Sequence, residues 1–335
     1  MPGNGLWRTK SIEQSIADTD EPDTKLRRDL TAWDLTVFGV AVVVGAGIFT
    51  LTASTAGNIA GPSVSLAFVL AAIACALAAL CYAEFASTVP VAGSAYTFSY
   101  ATFGEFVAWI IGWDLVLEFA VGAAAVAKGW SLYLQTLLAQ AGLNVKTAVR
   151  VGGLEIDWGA LLLVGALTAL LIVGTKLSSR VSAVITSIKV AVVLLVIVLG
   201  IGYIKTSNYS PYIPPAHSGG GGGAGSAGLE QSLFSLLTGA QGSAFGVLGL
   251  LSAASLVFFA FIGFDVVATT AEETRNPQRA VPRGILGSLA IVTVLYVAVS
   301  LVLTGMVPYD KLKTQPDGTK ATLATAFAEN GVNWA

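Results

Sequence analysis

Val42-Val-Val-Gly-Ala-Gly-Ile-Phe49 sits at the centre of an apolar run from Trp33 to about Ala56. Two glycines in the middle of a segment long enough to span a bilayer weaken the helix where no water can replace a lost backbone hydrogen bond. That weakness has two physical readings. In one, the helix breaks: freed N–H groups on one half point at an anion, freed carbonyls on the other at a cation, and a zwitterion such as an α-amino acid fits both ends. In the other, Gly45 and Gly47 only let a neighbouring helix pack closely, as small residues do in membranes.

The surroundings of this stretch fix the class of protein. Apolar residues make up 55% of the 335-residue chain and charged ones only 11%, so the sequence predicts a polytopic helical membrane protein and not a soluble domain. A net charge of −2 argues against a nucleic-acid partner. The lone His217 lies in a Gly/Pro-rich loop, poorly placed for metal or catalytic work, and no cofactor is expected. Cys75 and Cys81 share one apolar run and read as reduced, buried helix fillers. Residues 1–30 are polar and mixed in charge, with no signal-peptide pattern, and end in the basic cluster Lys25, Arg27 and Arg28.

Six further long apolar segments follow, at about 62–86, 105–138, 158–175, 180–204, 245–270 and 283–306, giving seven expected spans. The expected organisation is therefore a tail over 1–30, spans one to seven over 31–306, and over 307–335 an extracellular loop with the beginning of an eighth span at Gly331 to Ala335. The sequence stops there, which reads as a fragment of a longer chain. A cytoplasmic tail puts ten Lys and Arg residues inside, among them Lys176, Arg180, Arg275, Arg279 and Arg283, against six outside. The Gly/Ser-rich stretch Ser218 to Gly228 reads as a flexible extracellular linker.

The third span carries Asp114, Glu118 and Lys128, and the fifth carries Lys189. Charge inside a membrane costs at least a few kcal/mol per group, so such residues face a cavity or one another. At about 1.5 Å per residue, Glu118, Lys189 and the Gly45 region all fall roughly 13 to 20 Å into a ~30 Å core, near its midplane. Asp114 is either a second member of that polar centre or a residue of the cytoplasmic mouth. Lys128 reads as snorkelling to the outer face.

The sixth span repeats the theme of the first. Leu256-Val-Phe-Phe-Ala-Phe-Ile-Gly-Phe-Asp265 is an aromatic stretch interrupted by Gly263 and closed by an acid. Its phenylalanines are either lipid-facing filler or part of a second break. The first and sixth spans are an odd number of crossings apart, so they run in opposite directions, as an inverted-topology repeat requires. After the sixth span, Glu272-Glu-Thr-Arg-Asn-Pro-Gln-Arg-Ala-Val-Pro-Arg283 leads to the seventh. Pro277 and Pro282 are expected to force a turn there, with Glu272 and Glu273 either pairing with the arginines as an inner gate or sitting in a solvated loop.

Taken in order, Gly45-Ala-Gly-Ile-Phe49, Glu84-Phe85 with Pro90-Val-Ala-Gly-Ser-Ala-Tyr96, and Phe261-Ile-Gly-Phe-Asp265 with Glu272 to Pro277 and Pro282-Arg-Gly-Ile285 resemble the amino acid–polyamine–organocation transporters. The resemblance is greatest to the cationic-amino-acid-transporter-like bacterial permeases and covers nearly the whole chain from about residue 25. It implies a leucine-transporter-like inverted repeat with discontinuous helices one and six, here truncated after seven spans. It implies that the backbone N–H groups of Gly45, Ala46 and Gly47 hold a substrate carboxylate. Carbonyls near Val43, Val44, Phe258, Phe261 and Ile262 would receive the amino group, and Glu118 would line the pocket. It places Lys189 where sodium-coupled relatives hold a cation, so that protons supply coupling; Lys189 as a structural pin between helices one and five is the other reading. Family members carry more spans than these seven, the eighth forming a pocket wall, and a chain ending at Ala335 is accordingly expected to be incomplete and inactive.

The expected function is thus secondary active transport of an amino acid across the plasma membrane by alternating access, with protons as coupling ion, the bilayer as surroundings and the N-terminus cytoplasmic. A passive pore would need a ring of polar residues or a filter loop, neither of which is evident. An amino-acid-binding sensor lacks only a signalling domain. An enzyme would need a nucleophile–base pair or metal cluster within the spans, and the sequence offers none.

Overall fold

The computed structural model describes residues 7–19, 28–45, 47–143, 145–151, 154–173, 175–218, 243–314 and 321–332. Ala46, Lys25, Arg27, the linker beyond Ser218 and the last three residues of the expected eighth span lie outside that set.

Among the described residues the structure is α-helical apart from two small antiparallel strand pairs, β1 (Ala148–Val151) with β2 (Leu154–Asp157) and β3 (His217–Ser218) with β4 (Ser243–Ala244). In chain order the α-helices are α1 (Ile12–Thr19), α2 (Ala32–Val43), α3 (Thr52–Thr55), α4 (Val64–Thr88), α5 (Ser94–Thr102), α6 (Glu105–Gln140), α7 (Trp158–Val173) and α8 (Thr175–Ile201). They continue with α9 (Gly246–Val257), α10 (Val266–Thr269), α11 (Pro277–Met306) and α12 (Leu323–Glu329).

Among the described residues five helical stretches, not the expected seven, are long and apolar enough to cross a membrane: Gly47–Thr88, Glu105–Gln140, Val184–Ile201, Gly246–Thr269 and Pro277–Met306. The difference has a local cause. The first expected span is cut after Val43, leaving α2 only 12 residues long, and its second half runs through π-helical turns at Gly47–Leu51 and Ala56–Ala60 into the next span. Gly61, at φ +64°, bends the backbone inside that stretch. The fourth expected span is the 16-residue α7, short of the ~20 residues that cross a hydrocarbon core.

Other expectations shift for similar reasons. The last span starts at Pro277 and not near Arg283, because a proline in the first helical turn has no N–H to lose, and Pro282 is absorbed inside the helix. Cys75 is buried but Cys81 is exposed, since six residues at 100° each carry the side chain to another face of α4.

The chain divides into two compact units, Gly112–Ala191 and the remainder. In the larger unit α2 begins with a capping box, Thr31 Oγ1 accepting from the Asp34 N–H (3.3 Å) and Asp34 from the Thr31 N–H (2.8 Å). It then packs along α11 through small residues: a Cβ at Gly284 would meet the Leu35 Cβ at 2.5 Å, one at Gly39 the Ser288 Cβ at 2.5 Å, and one at Gly287 the Thr36 Oγ1 at 2.9 Å. Small residues let apolar helices gain contact where lipid leaves no hydrophobic drive. In the smaller unit Asp157 opens α7, its Oδ1 accepting from the Ala160 N–H (3.1 Å) and from Ser131 Oγ of α6 (2.6 Å).

Candidate functional site

Both glycine-bearing helices are interrupted. The α2 ladder ends at Val44, whose N–H still donates to the Val40 carbonyl (3.0 Å) but whose ψ of +93° turns its own carbonyl off the helix axis. In the second stretch α9 tightens into a 3₁₀ turn at Phe258–Phe261, Ile262 turns out at ψ +138°, Gly263 takes φ +103°, and α10 resumes at Val266. A positive φ of that size is one that glycine adopts without strain.

The interruptions face each other. A Cβ at Gly47 would lie 2.5 Å from the Ala260 Cα, and one at Gly263 would lie 2.8 Å from the Val42 Cγ1. Farther out, the Phe245 N–H donates to the Ile59 carbonyl (2.7 Å), and at the other end Leu30 and Thr274 form a backbone bridge. In the pairs Val42–Gly263, Gly47–Ala260 and Ile59–Phe245 one residue number rises as the other falls, so the two stretches run antiparallel between Val42 and Ile59, while the Leu30–Thr274 bridge at the other end is locally parallel. The glycines therefore divide the two roles left open by the sequence. Gly47 is a close-packing residue against Ala260, whereas a Cβ at Gly45 would meet nothing nearer than the Val43 carbonyl at 3.8 Å.

Tyr296 of α11, fully buried, ties the breaks together. Its hydroxyl lies 2.7 Å from the Val43 carbonyl oxygen and 2.9 Å from that of Ala260, its one proton shared between them. Its ring meets Phe261 at 5.1 Å and Phe68 at 5.5 Å between centroids, and Phe68 meets Phe261 edge-on at 6.3 Å. Phe261 is fully buried and so is not lipid-facing filler, whereas Phe258 is exposed. Sequence reasoning passed over Tyr296; the signal was a phenol deep in an apolar helix, whose O–H must find a partner.

One end of the assembly is polar. Ser94, at φ +49°, donates to the buried Asp265 carboxylate (3.3 Å), and Glu272 accepts from the Ala92 N–H (3.0 Å). Glu272 thus holds the loop before α5, a role neither expectation for it described. Arg275 bonds Asp29 (3.4 Å) and the Arg28 carbonyl (3.3 Å). Glu118 and Lys189 are half-buried in the smaller unit, where Asp114 and Lys128 are exposed. Among the described residues no group of His, Cys, Asp and Glu is arranged to hold a metal ion.

The amino acid permease family model matches residues 34–335. The chain is 42% identical over 314 residues to the methylthioribose transporter of Bacillus subtilis strain 168, covering 92% of this chain and 61% of that protein. It is 40% identical over 336 residues to the branched-chain amino acid permease BcaP of the same organism (98% and 64%) and 37% identical over 337 residues to human cationic amino acid transporter 4 (98% and 47%). The chain therefore spans less than two thirds of the length of these relatives. Likeness of this extent, along nearly every residue described above, means that the chain belongs to the amino acid permease family, in the amino acid–polyamine–organocation superfamily and close to its cationic-amino-acid-transporter-like members, a family of carriers and not of enzymes.

Proposed function

We propose that the protein is a secondary active amino acid transporter of the plasma membrane, coupled to protons and working by alternating access around the two breaks. The observation that carries this reading is the antiparallel apposition of two interrupted helices at Val42 to Gly47 and Ala260 to Gly263. Backbone groups released at such breaks are the means by which a membrane protein holds a small charged solute without ionised side chains in hydrocarbon. In this reading the amides of Gly45, Ala46 and Gly47 take the carboxylate. Carbonyls at Val43, Val44, Phe258, Phe261 and Ile262 take the ammonium. Glu118 lines the pocket and Lys189 carries the coupling proton.

The antiparallel course of the two stretches supports an inverted, leucine-transporter-like repeat. The pairing of Arg275 with Asp29 at one end, together with the basic residues around it, supports a cytoplasmic N-terminus. The names of the relatives support an amino acid as solute, branched-chain or cationic. They also favour a second reading, because the methylthioribose transporter matches as well as either of these. In that case the carbonyls at the breaks would accept sugar hydroxyls.

Uptake into proteoliposomes carrying the full-length protein tests the assignment, using radiolabelled leucine, isoleucine, arginine, lysine, alanine and methylthioribose with and without an imposed proton gradient. Gradient-driven accumulation of an amino acid is expected. Binding without accumulation makes the protein a sensor, unsaturable flux indifferent to the gradient makes it a pore, and accumulation of methylthioribose alone supports the second reading.

Phe261→Ala empties a ring site packed by Phe68 and Tyr296 beside the second break. It is expected to cost about 3–5 kcal/mol of stability and to raise the KM of uptake roughly tenfold, about 1.4 kcal/mol of binding. A variant with unchanged KM and thermal midpoint would show that the ring neither packs the core nor shapes the site.

A further inference from the structure

We infer that Tyr296 is a positioning residue for the amino end of the solute, its single hydroxyl clasping both helix breaks through the Val43 and Ala260 carbonyls. This rests on the transporter reading above and adds to it a residue on a third helix that touches no substrate.

A phenol carries one O–H, and two carbonyl oxygens lie within 2.9 Å of it, one from each interrupted helix. While the proton is shared, neither carbonyl receives a full hydrogen bond from the phenol, and all three residues are buried, at 3% exposure or less. The clasp leaves spare acceptor capacity at both breaks. It also fixes their spacing, because Val43 directly precedes the turned-out Val44 and Ala260 lies two residues before the turned-out Ile262. An arriving ammonium is a donor that this arrangement lacks. Once it engages the carbonyls, the phenol proton can commit to one partner, and the half-satisfied acceptors at the breaks become fully satisfied. The gain falls on the amino end of the solute alone.

The ring is held independently of the hydroxyl, by Phe68 and Phe261. Tyr296→Phe therefore removes the clasp and leaves the packing. In proteoliposomes with full-length protein, KM and maximal rate are measured for whichever amino acid of the panel the wild type accumulates, and competition is measured with its N-methyl and deamino analogues. Tyr296→Phe is expected to raise KM at least fivefold with the maximal rate within about twofold, and to shrink the preference for the free amine over both analogues at least fivefold. A purely structural tyrosine would lower the amount of folded protein and leave that preference intact, which overturns the proposal, as does a lowered KM. If Tyr296→Phe does not accumulate in the membrane, 3-fluorotyrosine at position 296 keeps the ring and alters the donor. A threefold or larger change in amine preference then supports the clasp and an unchanged preference overturns it. A wild type that accumulates no amino acid defeats the transporter reading itself, an outcome distinct from a wild type that transports and a variant that matches it.

Discussion

Gly47→Leu is expected to abolish uptake while leaving the protein inserted in the membrane. The glycine sits where the first interrupted stretch crosses the second, and even a Cβ there would fall 2.5 Å from the Ala260 Cα. Backbone cannot yield as a flexible side chain does, so a leucine must push the two breaks apart. Overpacking of this kind costs about 1–3 kcal/mol in a close-packed interior, and at the upper end that is a loss of roughly a hundredfold in binding before any effect on movement. The displacement would also carry Val43 and Ala260 away from the Tyr296 hydroxyl that joins them. Gly45→Ala is the matched comparison: its added methyl group enters open space, and its φ is not in the left-handed region, so uptake within about threefold of wild type is expected. Surface expression, uptake rate and KM for both variants check the pair. Normal uptake by Gly47→Leu would retire the broken-helix mechanism, and equal losses in both variants would mean that the glycines serve flexibility and not close approach.

How much of this was legible in the sequence depends on whether a residue's role is local. The two breaks were, because Gly45, Gly47 and Gly263 weaken their own helices wherever those helices lie, and because Leu256 to Asp265 repeats the pattern in a span that must run the other way. The number of full-length spans was not. An apolar run records what can be buried, but Val44 ends its helix by a backbone turn that hydropathy does not register, and Ala56 to Ala60 continues past Gly61 into the next run. Pro277 was misread for a related reason: the same proline that stops a helix from behind starts one at its first turn. Partners set by tertiary approach were out of reach. Nothing near Tyr296 in sequence announces Val43 or Ala260, and nothing near Ser94 announces Asp265, although a buried phenol and a buried carboxylate each declare that some partner must exist. Glu272 had abundant arginines close by in sequence, yet it serves the Ala92 amide of a distant loop.

Lys189→Met is expected to stop uptake driven by a proton gradient while sparing most of the exchange of substrate across the membrane. The ammonium lies within α8, half-buried, in a stretch of Val, Ile and Leu that is otherwise suited to lipid. A lysine at such a depth costs at least a few kcal/mol, and methionine fills nearly the same volume at no such cost, so a residue kept only for packing would be replaced with a gain in stability. Retaining the charge makes physical sense if proton occupancy is the function. Under the proposed alternating access, opening the site to one face at a time would change how far the amine is desolvated, which would allow a proton to be taken on one side and released on the other. With methionine that exchange is lost. Accumulation should fall to the level set by the substrate gradient alone, and the remaining uptake should no longer vary with pH between about 5 and 8. Counterflow in proteoliposomes at equal pH measures movement of the solute without the proton and should persist at a third or more of the wild-type rate. The opposite pattern, normal pH dependence with collapsed counterflow and a lowered thermal midpoint, would identify Lys189 as the structural pin between two helices and assign proton movement to another group, with Glu118 the next to replace.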